Sequence, residues 1–108
     1  MPTASPTRIL VNDCSNKIGK EVLLKGFIRV IRSHGKLVFL DLRDRSGTVQ
    51  IVVNQQVSEI AYKESLDLHP EFAVELVGLV KERPKTVATK ESSTGAVEIE
   101  AKEVTLLF

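Results

Sequence analysis

Residues 21–53, EVLLKGFIRVIRSHGKLVFLDLRDRSGTVQIVV, decide the fold. From Glu21 to Arg32 the side chains alternate: Val22, Leu24, Gly26, Ile28 and Val30 share one face, and Leu23, Lys25, Phe27, Arg29 and Ile31 the other. A period of two is the signature of a strand. Gly26 inside the run predicts a bend or bulge, the device by which one strand serves two sides of a small barrel. Ser33-His34-Gly35 supplies a turn. Leu37 to Asp44 alternates again, with Val38, Leu40 and Leu42 opposite Leu37, Phe39, Asp41 and Arg43. Arg45-Ser46-Gly47 makes a tight hairpin, and Thr48 to Val53 is a third strand with Val49, Ile51 and Val53 inward.

Outward from this core the pattern changes twice. Residues 1–7, with two prolines, read as a disordered lead-in, and residues 8–108 as one folded unit. Ile9-Leu10-Val11 is a strand stub, followed by one helical turn capped by Asn12 or Asp13 and closed by Gly19. After the third strand, Val57, Ile60, Ala61 and Glu64 fall at helical spacing, with Ser58 as the cap and an end near Leu66. Phe72 to Lys81 returns to alternation, with Val74, Leu76, Gly78 and Val80 on one face. Glu82 to Gly95 is a polar loop, and Ala96 to Leu107 a last strand with Val97, Ile99 and Ala101 opposite Glu98, Glu100 and Lys102. Three meandering strands, a helix and two strands give an all-β class with little helix. That is the order of a five-stranded OB-fold Greek-key barrel with its helix between strands three and four. An SH3-like barrel is the alternative and ordinarily lacks the helix.

Composition bounds the function. The 108 residues carry 15 Lys and Arg against 14 Asp and Glu, a net charge of +1, and 43% hydrophobic residues. That is one ordinary globular domain. No apolar run reaches the ~20 residues of a membrane helix, and the first residues lack the apolar core of a signal peptide, so a reducing cytoplasm is expected. A single cysteine, Cys14, forms neither an internal disulfide nor a zinc cluster, and His34 and His69 are far apart, so no metal site is expected. Phosphate-cradling glycine loops and nucleophile elbows are absent too, and the carboxylate pairs Asp41/Asp44 and Glu98/Glu100 have the look of a solvated strand edge. No catalytic residue is expected.

Charge is local. Between Lys25 and Arg45 stand Lys25, Arg29, Arg32, Lys36, Arg43 and Arg45 against Asp41 and Asp44, whereas Glu59 to Glu75 is acidic. Phe27 and Phe39 fall on the polar side of their strands, among Lys25, Arg29, Arg43 and Gln50. On an OB-fold the outer face of strands two and three is the usual ligand platform. An aromatic ring there stacks on an unpaired base, worth ~1–3 kcal/mol. Gln50 offers a donor and an acceptor to a base edge. Arg29, Arg43 and the neighbouring arginines suit phosphates or stacking. Arg83, in the loop after strand four, and Glu98 flank the same face, and Glu98 suits an exocyclic base amine. Packing of Phe27 or Phe39 under a loop or the N-terminal segment, and simple solvation of Glu98, are the plainer readings.

The run from Gly19 to Val53 resembles the N-terminal anticodon-binding domain of class IIb aminoacyl-tRNA synthetases, most of all the bacterial-type aspartyl-tRNA synthetases. The resemblance rests on Gly26-Phe27-Ile28, the Arg32-x-x-Gly35 turn, LVFLDLRDRSG (37–47) and Val49-Gln50-x-Val52, with GLVKERP (78–84) and TGAVEIEAKEVTLL (94–107) further on. It implies that Phe39 stacks on the central anticodon uridine and that Gln50 reads that base's edge. It implies that Arg32 contacts an anticodon base or its phosphate, that Glu98 helps read a flanking base, and that Arg83 touches the anticodon region. Phe27 stands where the family more often has tryptophan, and Val30 and Ile31 where relatives often carry arginines. The expected partner is tRNA(Asp). ATP and magnesium would belong to a catalytic domain that begins about where this sequence stops, so this chain is expected to bind tRNA, to need no cofactor and to charge nothing. A homodimer is implied for the parent enzyme and a monomer for the isolated barrel. The other readings are a free-standing single-strand binder and a barrel that docks a protein or a second copy through Phe27 and Phe39.

Overall fold

Fourteen residues of unbroken strand, β1 (Glu21–His34), hydrogen-bond to two neighbours, and this double pairing closes a barrel. A computed structural model describes residues 8–83 and 97–107. The lead-in at 1–7 and most of the polar loop expected at 82–95 lie outside them. A 3-10 helix (Val11–Asn16) precedes β1, and β2 (Leu37–Asp44), β3 (Gly47–Asn54), α1 (Glu59–Ser65), β4 (Ala73–Glu82) and β5 (Val97–Leu106) follow. The strands close in the order β1-β2-β3-β5-β4, with β3 and β5 parallel and every other pair antiparallel. With α1 between β3 and β4, this is the five-stranded OB-fold barrel that the alternation predicts.

The core is the inward stripe of each strand. Leu24, Ile28, Leu40, Leu42, Ile51, Leu76 and Ile99 are buried, each contributing ~1.5–3 kcal/mol relative to exposure. Two glycines let strands approach where the barrel turns. A Cβ on Gly26 would stand 2.4 Å from the Arg43 carbonyl oxygen, and one on Gly78 would stand 2.7 Å from that of Glu100.

Three local expectations need correction. The bulge of β1 lies between Ile28 and Val30, not at Gly26 itself. The extra residue flips the strand, so Val30 faces solvent at 42% exposure and Ile31 packs against the core. Neither Asn12 nor Asp13 caps the first helical turn; both lie inside it, and Leu10 at its start makes no side-chain cap. Helix α1 does take its cap from Ser58, whose hydroxyl accepts from the Ala61 amide at 3.1 Å. Its buried residues, however, are Ala61 and Ser65, while Ile60 is exposed. A helix this short meets the barrel through small residues, and the Ser65 hydroxyl donates to the Tyr62 carbonyl at 2.6 Å.

The Asp44-Arg45-Ser46 turn pins the N-terminal helix to the barrel. The Val11 amide donates to Asp44 Oδ2 at 2.8 Å, and the Asn12 amide to Ser46 Oγ at 2.9 Å. Ser46 donates to Asp44 Oδ1 from its amide and its hydroxyl. Burial acts to raise the Asp44 carboxyl, but the bonds from the Ser46 hydroxyl and from the Val11, Ser46 and Gly47 amides prevail and hold it below its ordinary 3.8. Cys14 is buried beside this node. Burial, reinforced by the Asp44 and Asp13 charges, pushes its thiol up to about 12, so it carries no thiolate chemistry at neutral pH.

Gly26→Ala is expected to cost about 1–3 kcal/mol through overpacking, read as a lower midpoint in urea unfolding. Asp44 ionised stabilises the fold above the ordinary carboxylate pKa, and this contribution is lost as pH falls through its lowered folded-state value. Asp44→Asn should therefore be less stable than wild type at pH 7, and the gap should narrow in thermal melts taken towards pH 3.

Candidate nucleic-acid interface

The registers of β1, β2, β3 and β5 set two outward rows side by side. Arg32 on β1 pairs with Phe39 on β2, Phe39 with Val52 on β3, and Val52 with Glu100 on β5. One step along, Val30 pairs with Asp41, Asp41 with Gln50, and Gln50 with Glu98. Phe39 and Gln50 are thus diagonal neighbours on one face, about 7–8 Å apart, within reach of a single base. Gln50 and Glu98 stand directly opposite across the parallel seam, about 4.8 Å apart. Arg32, Phe39, Gln50 and Glu98 form one continuous line.

Burial fits a prepared surface. Val38 and Leu40 are sealed in the core, while Phe39 between them is only half-buried, as are Gln50 and Glu98. Among the described residues the side chains of Arg32, Gln50 and Glu98 make no hydrogen bond or ion pair with one another or with neighbours. The line therefore sets a cation, a ring, an amide and a carboxylate side by side on the outer face. Lys81 is in register with Glu98, yet its ammonium donates to Glu100 Oε2 at 2.6 Å. That bond and the Glu100 charge, with a smaller contribution from the Glu98 charge, raise the Lys81 pKa, while the Glu98 oxygens accept no hydrogen bond from the ammonium.

The other sequence-selected residues lie off this line. Arg83 follows the end of β4, where Glu82 pairs with Val97, and so stands at the rim beside residues 84–96. Arg29 sits in the β1 bulge, and Arg43 is one outward step beyond Asp41, opposite Phe27. Both line a separate groove together with Phe27, which is half-exposed rather than packed under a loop. Sequence reasoning missed the Lys81–Glu100 pair, because the β4–β5 register is hidden by the long connection between the two strands. It also missed that groove as a unit, although the arginine excess from Lys25 to Arg45 was its signal.

The comparisons with known proteins agree with the fold. Residues 22–107 match the tRNA anti-codon family, described as an OB-fold nucleic acid binding domain. The chain is 37% identical over 93 residues to an aspartate–tRNA(Asp/Asn) ligase of Halothermothrix orenii, covering 86% of this chain and 16% of that protein. It is 41% identical over 90 residues to an aspartate–tRNA ligase of Staphylococcus saprophyticus, covering 83% of this chain and 15% of that one. Among solved structures, asparaginyl-tRNA synthetase from Pyrococcus horikoshii superposes with a TM-score of 0.75 at 26% identity, covering 93% of this chain and 23% of that one. The chain thus spans roughly a sixth of the length of the curated relatives it matches. A barrel that matches the family over nearly all of its length, with an open aromatic and amide line on its outer face, belongs to the anticodon-binding OB-fold nucleic acid binding domains.

Proposed function

We propose that this chain recognises the anticodon loop of tRNA(Asp), as the tRNA-binding part of an aspartate–tRNA ligase. The observation that carries the reading is the diagonal placement of Phe39 and Gln50 on one outward face, with Arg32 on one side and Glu98 on the other. The ring takes the face of an unstacked base, and the carboxamide, a donor and an acceptor together, takes the edge of that same base. Uracil offers such an edge. Glu98 accepts from an amino or imino group of the next base, and Arg32 neutralises a phosphate or stacks behind Phe39. Stacking supplies affinity, and the two polar side chains supply the choice of base.

On this reading the chain performs no chemistry and needs no cofactor of its own; activation of aspartate belongs to the remaining length of the relatives. It acts as a monomeric barrel in the cytoplasm. The relatives are named both aspartate–tRNA ligase and aspartate–tRNA(Asp/Asn) ligase.

The test is a fluorescence titration of the chain against a labelled tRNA(Asp) anticodon stem-loop, beside a stem-loop with the central uridine changed. The native loop should bind more tightly. Phe39→Ala should lower affinity by about 1–3 kcal/mol for both loops, since stacking is tolerant of sequence. Gln50→Ala should act mainly on the native loop and narrow the difference between the two. Equal binding of the two loops by the folded wild-type chain would refute base-specific reading.

A further inference from the structure

Beyond the line of Phe39, Gln50 and Glu98, the same barrel carries an open groove of about 1110 Å³ centred where β1 pairs with β2 and β4 together. Phe27 stands at that junction, opposite Arg43 on one side and Ala73 on the other, and is 52% exposed. Other apolar side chains, such as Ile60 and Leu66, are as exposed or more so; what sets Phe27 apart is that its ring lines a groove with a cluster of cations. The groove is lined by Arg8, Lys25, Arg29, Arg43 and Arg45, against two carboxylates.

Those carboxylates do not neutralise it. Five cations stand against two carboxylates, and Asp44 spends its oxygens on the Val11 amide and Ser46 rather than on an arginine. Lys25 is paired to Glu75 at 3.7 Å. The four guanidiniums make no ion pair or side-chain hydrogen bond among the described residues, so their fork-shaped donors are open to a ligand.

We propose that this groove is a second RNA-contact site, which grips the sugar–phosphate backbone adjoining the anticodon loop. The proposal rests on the anticodon reading for its ligand and goes beyond it in surface and in role. Charge complementarity selects a polyanion, and arginine in place of lysine selects groups that take two parallel hydrogen bonds. Position selects the same RNA. Arg43 is four residues from Phe39 along β2, both outward, a separation of about 13 Å, so a strand leaving the platform reaches the groove without crossing the core. The Phe27 ring gives a ribose or base face something to rest on. Phosphate contacts of this kind set register and affinity and carry no sequence information. The groove therefore positions the loop that the platform reads.

An amide-resolved NMR titration of the isotope-labelled chain tests this. The ligands are the tRNA(Asp) anticodon stem-loop, the same stem-loop with its central uridine changed, and a polyglutamate peptide. Both stem-loops should shift the groove amides of Gly26, Phe27 and Ser46, while the platform amides of Phe39, Gln50 and Glu98 should discriminate between them. The double variant Arg8→Gln/Arg45→Gln should weaken both stem-loops by the same factor, keep their ratio, and make the salt dependence shallower by about 1–2 in log–log slope. Platform shifts with silent groove amides would overturn the groove and leave the anticodon reading standing. Groove shifts with a silent platform would do the reverse. Silence at both would overturn both, and a groove that answers polyglutamate but not RNA would be a protein-docking surface, which also overturns the proposal. The wild-type shifts decide the matter even if the double variant fails to fold.

Discussion

Barrel closure depends on how near β1 can come to β2 while it still holds β4. At Gly26 the neighbouring backbone is so close that a methyl group would overlap the Arg43 carbonyl oxygen. That contact allows Phe27 to pair with Arg43 and Ala73 at once. Three residues later the bulge rotates the strand, and its far end continues along β2 alone. Without the approach β1 could serve one neighbour or the other, and the sheet would keep two free edges. The outer face inherits its geometry from this point, because the register that begins at Phe27 and Arg43 is the one that sets Arg32 opposite Phe39.

The sequence was most informative where one strand lies entirely on one side of one sheet. In β2 and β3 alternation runs unbroken from Leu37 to Val53 through a tight turn, so inward Leu40 and Ile51 and outward Phe39 and Gln50 were all legible. The second half of β1 was not, since a bulge changes the face of every later residue and leaves no trace in the hydrophobic pattern beyond an extra apolar position. Val30 and Ile31 are both β-branched, and only tertiary pairing decides which of them is core. Helical spacing likewise does not tell which side of α1 is buried. Ile60 has the greater hydrophobicity, but the barrel wall leaves room for Ala61 and Ser65. The pairing of Gln50 with Glu98 brings together residues 48 apart in the chain; no local signal reports it, and only the plan of the fold as a whole sets them on one face.

The face also shows how a small barrel keeps polar groups available. An isolated carboxylate beside a lysine ordinarily pairs with it, and an exposed pair of that kind contributes little to stability. Here the lysine in register with Glu98 is drawn to Glu100 instead, two residues further along β5. Glu100 faces outward next to Val52, away from the polar end of the line. The result is a division of labour between two carboxylates on one strand: one satisfies a cation and the other meets solvent.

The parallel seam between β3 and β5 has a consequence for how the molecule assembles. Among the described residues it is the shortest of the barrel's ladders, running from Gln50 to Val52 and from Glu98 to Glu100, and it joins distant parts of the chain. Closing a long loop costs entropy before a non-local pairing repays it, so this short ladder returns the least for the closure it requires. A ligand that touches Gln50 and Glu98 together lies across that seam. Its binding energy adds to the stability of the closed barrel and is withheld from any form in which the seam is open. RNA on this face would then act as a clasp, slowing the opening of the barrel at its weakest ladder.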